Sequence, residues 1–180
     1  MTILVDSYGW INGDTGASTV AAERGQSFTA NGGILDNIQF YGYKVGSPTG
    51  NIVAYIYAHT GTFGVDGKPM GSPLATSDGV NSAEVSESFG LQTFAFSGAN
   101  KIHLISGNKY FVTLQMFGDL ENNIYMGMDG SSPTADGNYA YFAGGNWITS
   151  NTTAVCFYVY KDDTTTTGVS TITGISTITL

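Results

Sequence analysis

The chain has 180 residues, 42% of them hydrophobic, and carries 6 basic against 14 acidic side chains, a formal net charge of −8. So few cations cannot neutralise many phosphates, which excludes nucleic acid and anionic membrane surfaces as expected partners. The hydrophobic content excludes a disordered chain, and no apolar run reaches the ~18 residues of a membrane-spanning helix.

In chain order, the N-terminal "MTILVDSYGWING" lacks a basic stretch followed by an apolar one, so no secretory signal is expected, and residues 3–8 read as a first strand. Strands are predicted next at 26–30 and 34–44. In "GNIVAYIYAH", Ile52, Ala54, Ile56 and Ala58 fall on one face, with Val53, Tyr55, Tyr57 and His59 on the other. Segments 90–96 and 101–105 follow. "KYFVTLQM" then sets Tyr110, Val112, Leu114 and Met116 against Phe111, Thr113 and Gln115. After 123–128 and 139–143, "AVCFYVY" sets Val155, Phe157 and Val159 against Cys156, Tyr158 and Tyr160.

Turn residues separate these runs at 46–51, 64–73, 97–100, 106–108 and 129–138, and no helical stripe interrupts them. About ten short strands with Gly- and Pro-rich turns predict an all-β, antiparallel, jelly-roll-like β-sandwich, able to bury 11 Tyr and 10 Phe. Composition changes abruptly after Lys161, where "DDTTTT" reads as a linker. The domain is therefore expected over 1–161, with a Thr-rich linker and extended arm over 162–180.

"QSFTANGGILDNIQFYGYKVGSPTGNIVAYIYAHTGT", together with "PMGSPLATSD" and "GNKYFVTLQM", resembles a family of jelly-roll β-sandwich domains of bacterial surface proteins and of phage or metagenomic virion proteins. The resemblance covers roughly residues 25–116. It implies a non-catalytic module for adhesion, decoration or glycan contact, and carries over no catalytic residue.

Catalytic chemistry finds little footing. His59 and His103 are the only imidazoles, each on a strand, with no nucleophile elbow beside them. Those histidines and the single Cys156 lack zinc-ligand spacing, and the lone cysteine leaves no internal disulfide. The acids fall mostly in turns, so no carboxylate pair for glycoside hydrolysis stands out. Loops 118–123 and 128–138 offer oxygen ligands that would suit Ca2+, although the same Asp, Asn and Gly residues also make ordinary turns. No other cofactor is expected.

Glycan contact is better motivated. A sugar's apolar face stacks on an aromatic plate while neighbouring polar groups bond its hydroxyls. Trp147 beside Asn146, with Tyr139, Tyr141 and Asp136 upstream, has this mixture, and Trp10 is a second candidate plate.

The end of the chain, "GVSTITGISTITL", spaces Val169, Ile172, Ile175 and Ile178 every third residue ahead of Leu180. That period matches neither a half-buried strand nor a helix. It suits an extended segment wound with copies of itself or laid in a neighbour's groove. The sequence thus predicts a non-catalytic virion structural protein (capsid decoration, head fibre or tail-associated). It would assemble through this arm as a homo-oligomer, a trimer by preference, and contact other virion proteins and surface glycans. The alternative is a carbohydrate-binding or adhesion module of a secreted or cell-surface protein.

Overall fold

The computed structural model describes residues 1–9, 16–18 (backbone only), 23–115, 118–119, 121–131 and 135–162. Among them the chain is all-β. The strands are β1 (Thr2–Tyr8), β2 (Gly16–Ser18), β3 (Glu23–Thr29), β4 (Gly33–Val45), β5 (Asn51–Thr60), β6 (Lys68–Thr76), β7 (Val80–Asn81) and β8 (Gly90–Ala95). They continue as β9 (His103–Leu104), β10 (Lys109–Gln115), β11 (Asn123–Asp129), β12 (Tyr139–Ala143), β13 (Asn146–Ser150), β14 (Ala154–Val155) and β15 (Phe157–Asp162). Two short 3-10 turns are the only helical pieces described, and no helix is long and apolar enough to cross a membrane.

The strands form two antiparallel sheets packed as a sandwich. In the first sheet, the long β4 is the organiser. Phe40 pairs with Phe157 of β15 and with Gln92 of β8, while Gly42 pairs with Met126 of β11 and Gly90 of β8. β15 and β11 therefore share one edge of β4 end to end, and β8 takes the other. Cys156 stitches the junction, donating its N–H to Gly127 and accepting from Tyr41 N–H through its carbonyl. β1 lies outside β15, with a bulge between Leu4 and Asp6.

The second sheet runs β13-β12-β3-β10-β5-β6. The core between the sheets takes the inward half of each alternation: Ile38 and Phe40 from β4, Ile52, Ala54 and Ile56 from β5, Val112 and Leu114 from β10, Val155, Phe157 and Val159 from the last strands. Pleating puts successive side chains on opposite faces, so these positions follow directly from the sequence pattern.

Two elements differ from expectation. The stretch 64–73 is turn only as far as Gly67, where Val65, Asp66 and Gly67 all donate to the Thr62 carbonyl; from Lys68 it is strand β6. Prolines 69 and 73 are tolerated because β6 is an edge strand, and its register shifts between Met70 and Ala75. The last core strand runs to Asp162, paired with Thr2, one residue beyond the expected boundary at Lys161.

The second sheet also buries part of its far face. Phe111, Tyr57 and Ala140 form a separate apolar cluster, packed by Tyr55 and Trp147. The sheet can do this because it curls: Cα atoms of β13 and β6, its opposite edges, approach within 8 Å. Gly25 of β3 sits under the curl, where a Cβ would lie 1.8 Å from the Val112 carbonyl oxygen.

Candidate functional site

The outward half of the first sheet's alternation is aromatic. Phe40 points into the core, so Tyr41 and Tyr43 point out; Phe157 and Val159 point in, so Tyr158 and Tyr160 point out. Cross-strand register brings the outward residues together. Tyr41 lies opposite Leu91, Tyr43 opposite Tyr125, and Tyr158 opposite Gln39. Phe89, just before β8, stacks on Tyr41 at 5.7 Å and tilts against Tyr43 at 4.3 Å, and Tyr43 stacks on Tyr125 at 5.2 Å.

This face holds a groove of about 360 Å³ lined by Tyr41, Phe89, Leu91, Cys156 and Tyr158. Leu91 is 47% exposed and Phe89 36%. None of the five carries a formal charge at neutral pH. Burial pushes the Tyr158 phenol above its ordinary value, helped by Cys156, Tyr160 and Tyr41, so it stays a neutral donor and acceptor. Beside the groove, Gln39 donates its amide to Thr93. Aromatic and aliphatic walls rimmed by neutral hydroxyls and amides suit a neutral ligand with apolar C–H faces.

No protein-family model, curated protein or solved structure matches the chain. The site's meaning rests on its own geometry.

A second concavity lies between the sheets, where β1 passes β3. It is a cavity of about 130 Å³ lined by Asp6, Ser7, Tyr8, Gln26, Ser27, residues 135–137 and Phe157. The bulge after Leu4 creates it. Beyond that bulge, Asp6 and Tyr8 face Val159 and Phe157 on the inner side. Asp6 accepts from Ser7 N–H and Thr29 N–H, both at 2.8 Å, and Tyr8 donates its hydroxyl to Asp129.

The sequence-predicted residues are dispersed. Tyr139 is buried in the main core, donated to by Arg24, and Tyr141 stacks on Tyr139 with the same guanidinium over its ring. Trp147 lies on the opposite face of that sheet, edge-on to Tyr57 and Phe142 and tilted against Phe111. Asn146 is exposed at the β12–β13 turn, and Asp136 is exposed at the mouth of the inter-sheet cavity. Odd and even positions of β12 face opposite ways, so Trp147 and the two tyrosines do not form one plate. Trp10 and the tail residues Val169, Ile172, Ile175, Ile178 and Leu180 lie outside the described residues.

In the loops expected to suit Ca2+, Asp119 and Asp129 already accept hydrogen bonds. Asp119 accepts from the backbone N–H groups of Glu121 and Asn122, and Asp129 from Ser131 and Tyr8. Among the described residues, no three His, Cys, Asp or Glu side chains converge on one point.

An acid and a base with perturbed titration share the curled face. Burial pushes the Glu23 carboxyl up, against hydroxyl donation from Thr113 and Tyr57. Burial and the Lys109 charge push His59 down, against a weaker pull from Asp66. Gln115 lies opposite both Glu23 and Val53, and His59 stands six residues further along β5. The Glu23 carboxyl nevertheless reaches the Tyr57 hydroxyl, and Tyr57 is two residues from His59 on the same face of β5.

The tyrosine groove was missed by sequence reasoning, which sought aromatics close together in the chain. Its signal was present in the outward members of alternating strands, Tyr41 and Tyr43 in one and Tyr158 and Tyr160 in another.

Proposed function

We propose that the domain is a non-catalytic recognition module that binds a neutral glycan along the tyrosine face of its first sheet. The observation that carries this reading is the groove between Tyr41, Tyr158, Phe89 and Leu91, apolar in its walls and uncharged throughout. A pyranose offers such a surface an apolar C–H face for the rings and hydroxyls for the phenols.

A glycan array probed with the parent protein, Tyr158→Ala and Leu91→Gln tests it. Binding to neutral glycans by the parent, weakened about tenfold or more by either substitution, is the expected result. A blank array for the parent, or binding unaffected by both substitutions, would remove the groove from consideration. Trp147→Ala, on the other sheet, should leave the array pattern unchanged.

The setting in which such a module would work is the one expected from the sequence, display on a virion or other assembly through 162–180. That part of the proposal rests on the three-residue repeat of the tail.

A further inference from the structure

One residue in the wall of the inter-sheet cavity carries an unmet donor. Gln26 is 1% exposed, its Oε1 accepts the Val155 N–H at 3.1 Å, and its Nε2 is buried without a hydrogen-bond partner. An orphaned buried amide donor is costly, because its lost hydration is not replaced. Gln26 sits in the wall of a cavity of about 130 Å³ that Asp6, Asp136, Tyr8 and Phe157 also line. At roughly 30 Å³ per water molecule, the space equals about four waters.

We propose that this cavity is a binding subsite for the hydroxyl-bearing edge of a single sugar unit or a polyol of similar size. The donor set selects among ligand classes. A metal cation or an ammonium group would satisfy Asp6 and Asp136 but offers Gln26 Nε2 no acceptor. An anion would satisfy Nε2 but meet two carboxylates. A hydroxyl does both at once: its O–H donates to a carboxylate, and its oxygen accepts from the amide. Adjacent hydroxyls on one ring repeat that pattern, and the C–H face between them has Tyr8 and Phe157 to pack against. Tyr8 is held in place by its hydroxyl bond to Asp129. The carboxylate of Asp6 is oriented by the Ser7 and Thr29 amides, which leaves lone pairs for a ligand.

The subsite deepens the glycan reading of the domain, yet it fails separately from the groove. Phe157 points inward and Tyr158 outward on the same strand, so the two sites lie on opposite faces of the first sheet.

The test is a titration of the isotope-labelled full chain with methyl glucoside, methyl galactoside, methyl mannoside, N-acetylglucosamine and glycerol, followed at the Gln26 side-chain amide resonances. At least one of them should shift those resonances saturably in the millimolar range. Asp136→Ala, an exposed position, should weaken that response about tenfold with unchanged melting temperature. Tyr158→Ala should leave it intact. If none of the five moves the Gln26 amide, or if only calcium chloride or methylammonium does, the subsite is wrong. A Gln26 response that survives Asp136→Ala unchanged would also overturn it. A blank array together with a Gln26 shift would refute the groove and keep the subsite.

Discussion

Glu23 shows at the residue scale how one buried carboxylate sets a pH dependence. Its folded-state pKa is raised above the ordinary 4.5, first by burial. Below about pH 4.5 both folded and unfolded states hold the proton, and the stability is complete. As pH rises through the raised value, the folded state must ionise a poorly solvated group, and stability falls. Asp119 and Asp129 act with the opposite sign. Backbone N–H groups of Asn122 and Glu121 hold Asp119 below its usual 3.8, and the hydroxyls of Ser131 and Tyr8 do so for Asp129. Their contribution is present above pH 3.8 and disappears as pH falls through their depressed values. Melting temperature should therefore decline above about pH 4.5 and also below 3.8. Glu23→Gln should remove the first slope and melt above the parent at pH 7. At pH 4 the two should coincide. An equal gap at both pH values would show that the charge is not responsible.

The informative elements are those that break their own period. β1 reads as a plain alternation, but the bulge between Leu4 and Asp6 moves Asp6 and Tyr8 to the inner side and so opens the cavity beside Gln26. β3 looks weak, with a glycine in its interior, yet Gly25 is required there by close backbone approach rather than by an unusual φ. Gly25→Ala should cost about 3 kcal/mol, because its Cβ would collide with the Val112 carbonyl, which belongs to the ladder and cannot move aside. Gly130→Ala has nothing within 4 Å of its added Cβ and should stay within about 0.5 kcal/mol of the parent. Urea unfolding of both variants measures the difference. Comparable losses would place the cost in backbone entropy instead of in the collision.

For the whole molecule, the open question is how the sandwich is joined to its surroundings. Asp162 pairs with Thr2 at the end of β15 and forms an ion pair with Lys101, which also bridges to Asp36. A truncation after Asp162, not Lys161, therefore tests the tail without damaging the fold. Light scattering should find the full chain oligomeric, a trimer by preference, and the truncated chain monomeric. Identical masses for the two would exclude tail-driven self-association.

The sequence by itself determined the all-β class, the inward positions of β4, β5, β10 and β15, and the outward tyrosines that alternate with them. These are local consequences of a two-residue pleat, and the residues needed to see them are neighbours in the chain. It also contained Asp136 as a polar candidate, without the partners that make it one. Only the tertiary structure decided that Tyr41, Leu91 and Tyr158 line one groove, that Trp147 and Tyr139 face opposite ways, and that Gln26 and Asp6 line one cavity between the sheets. Those outcomes depend on register, a bulge and the curl of a sheet. Each is set by pairing between segments tens of residues apart, where no single stretch of sequence carries the information.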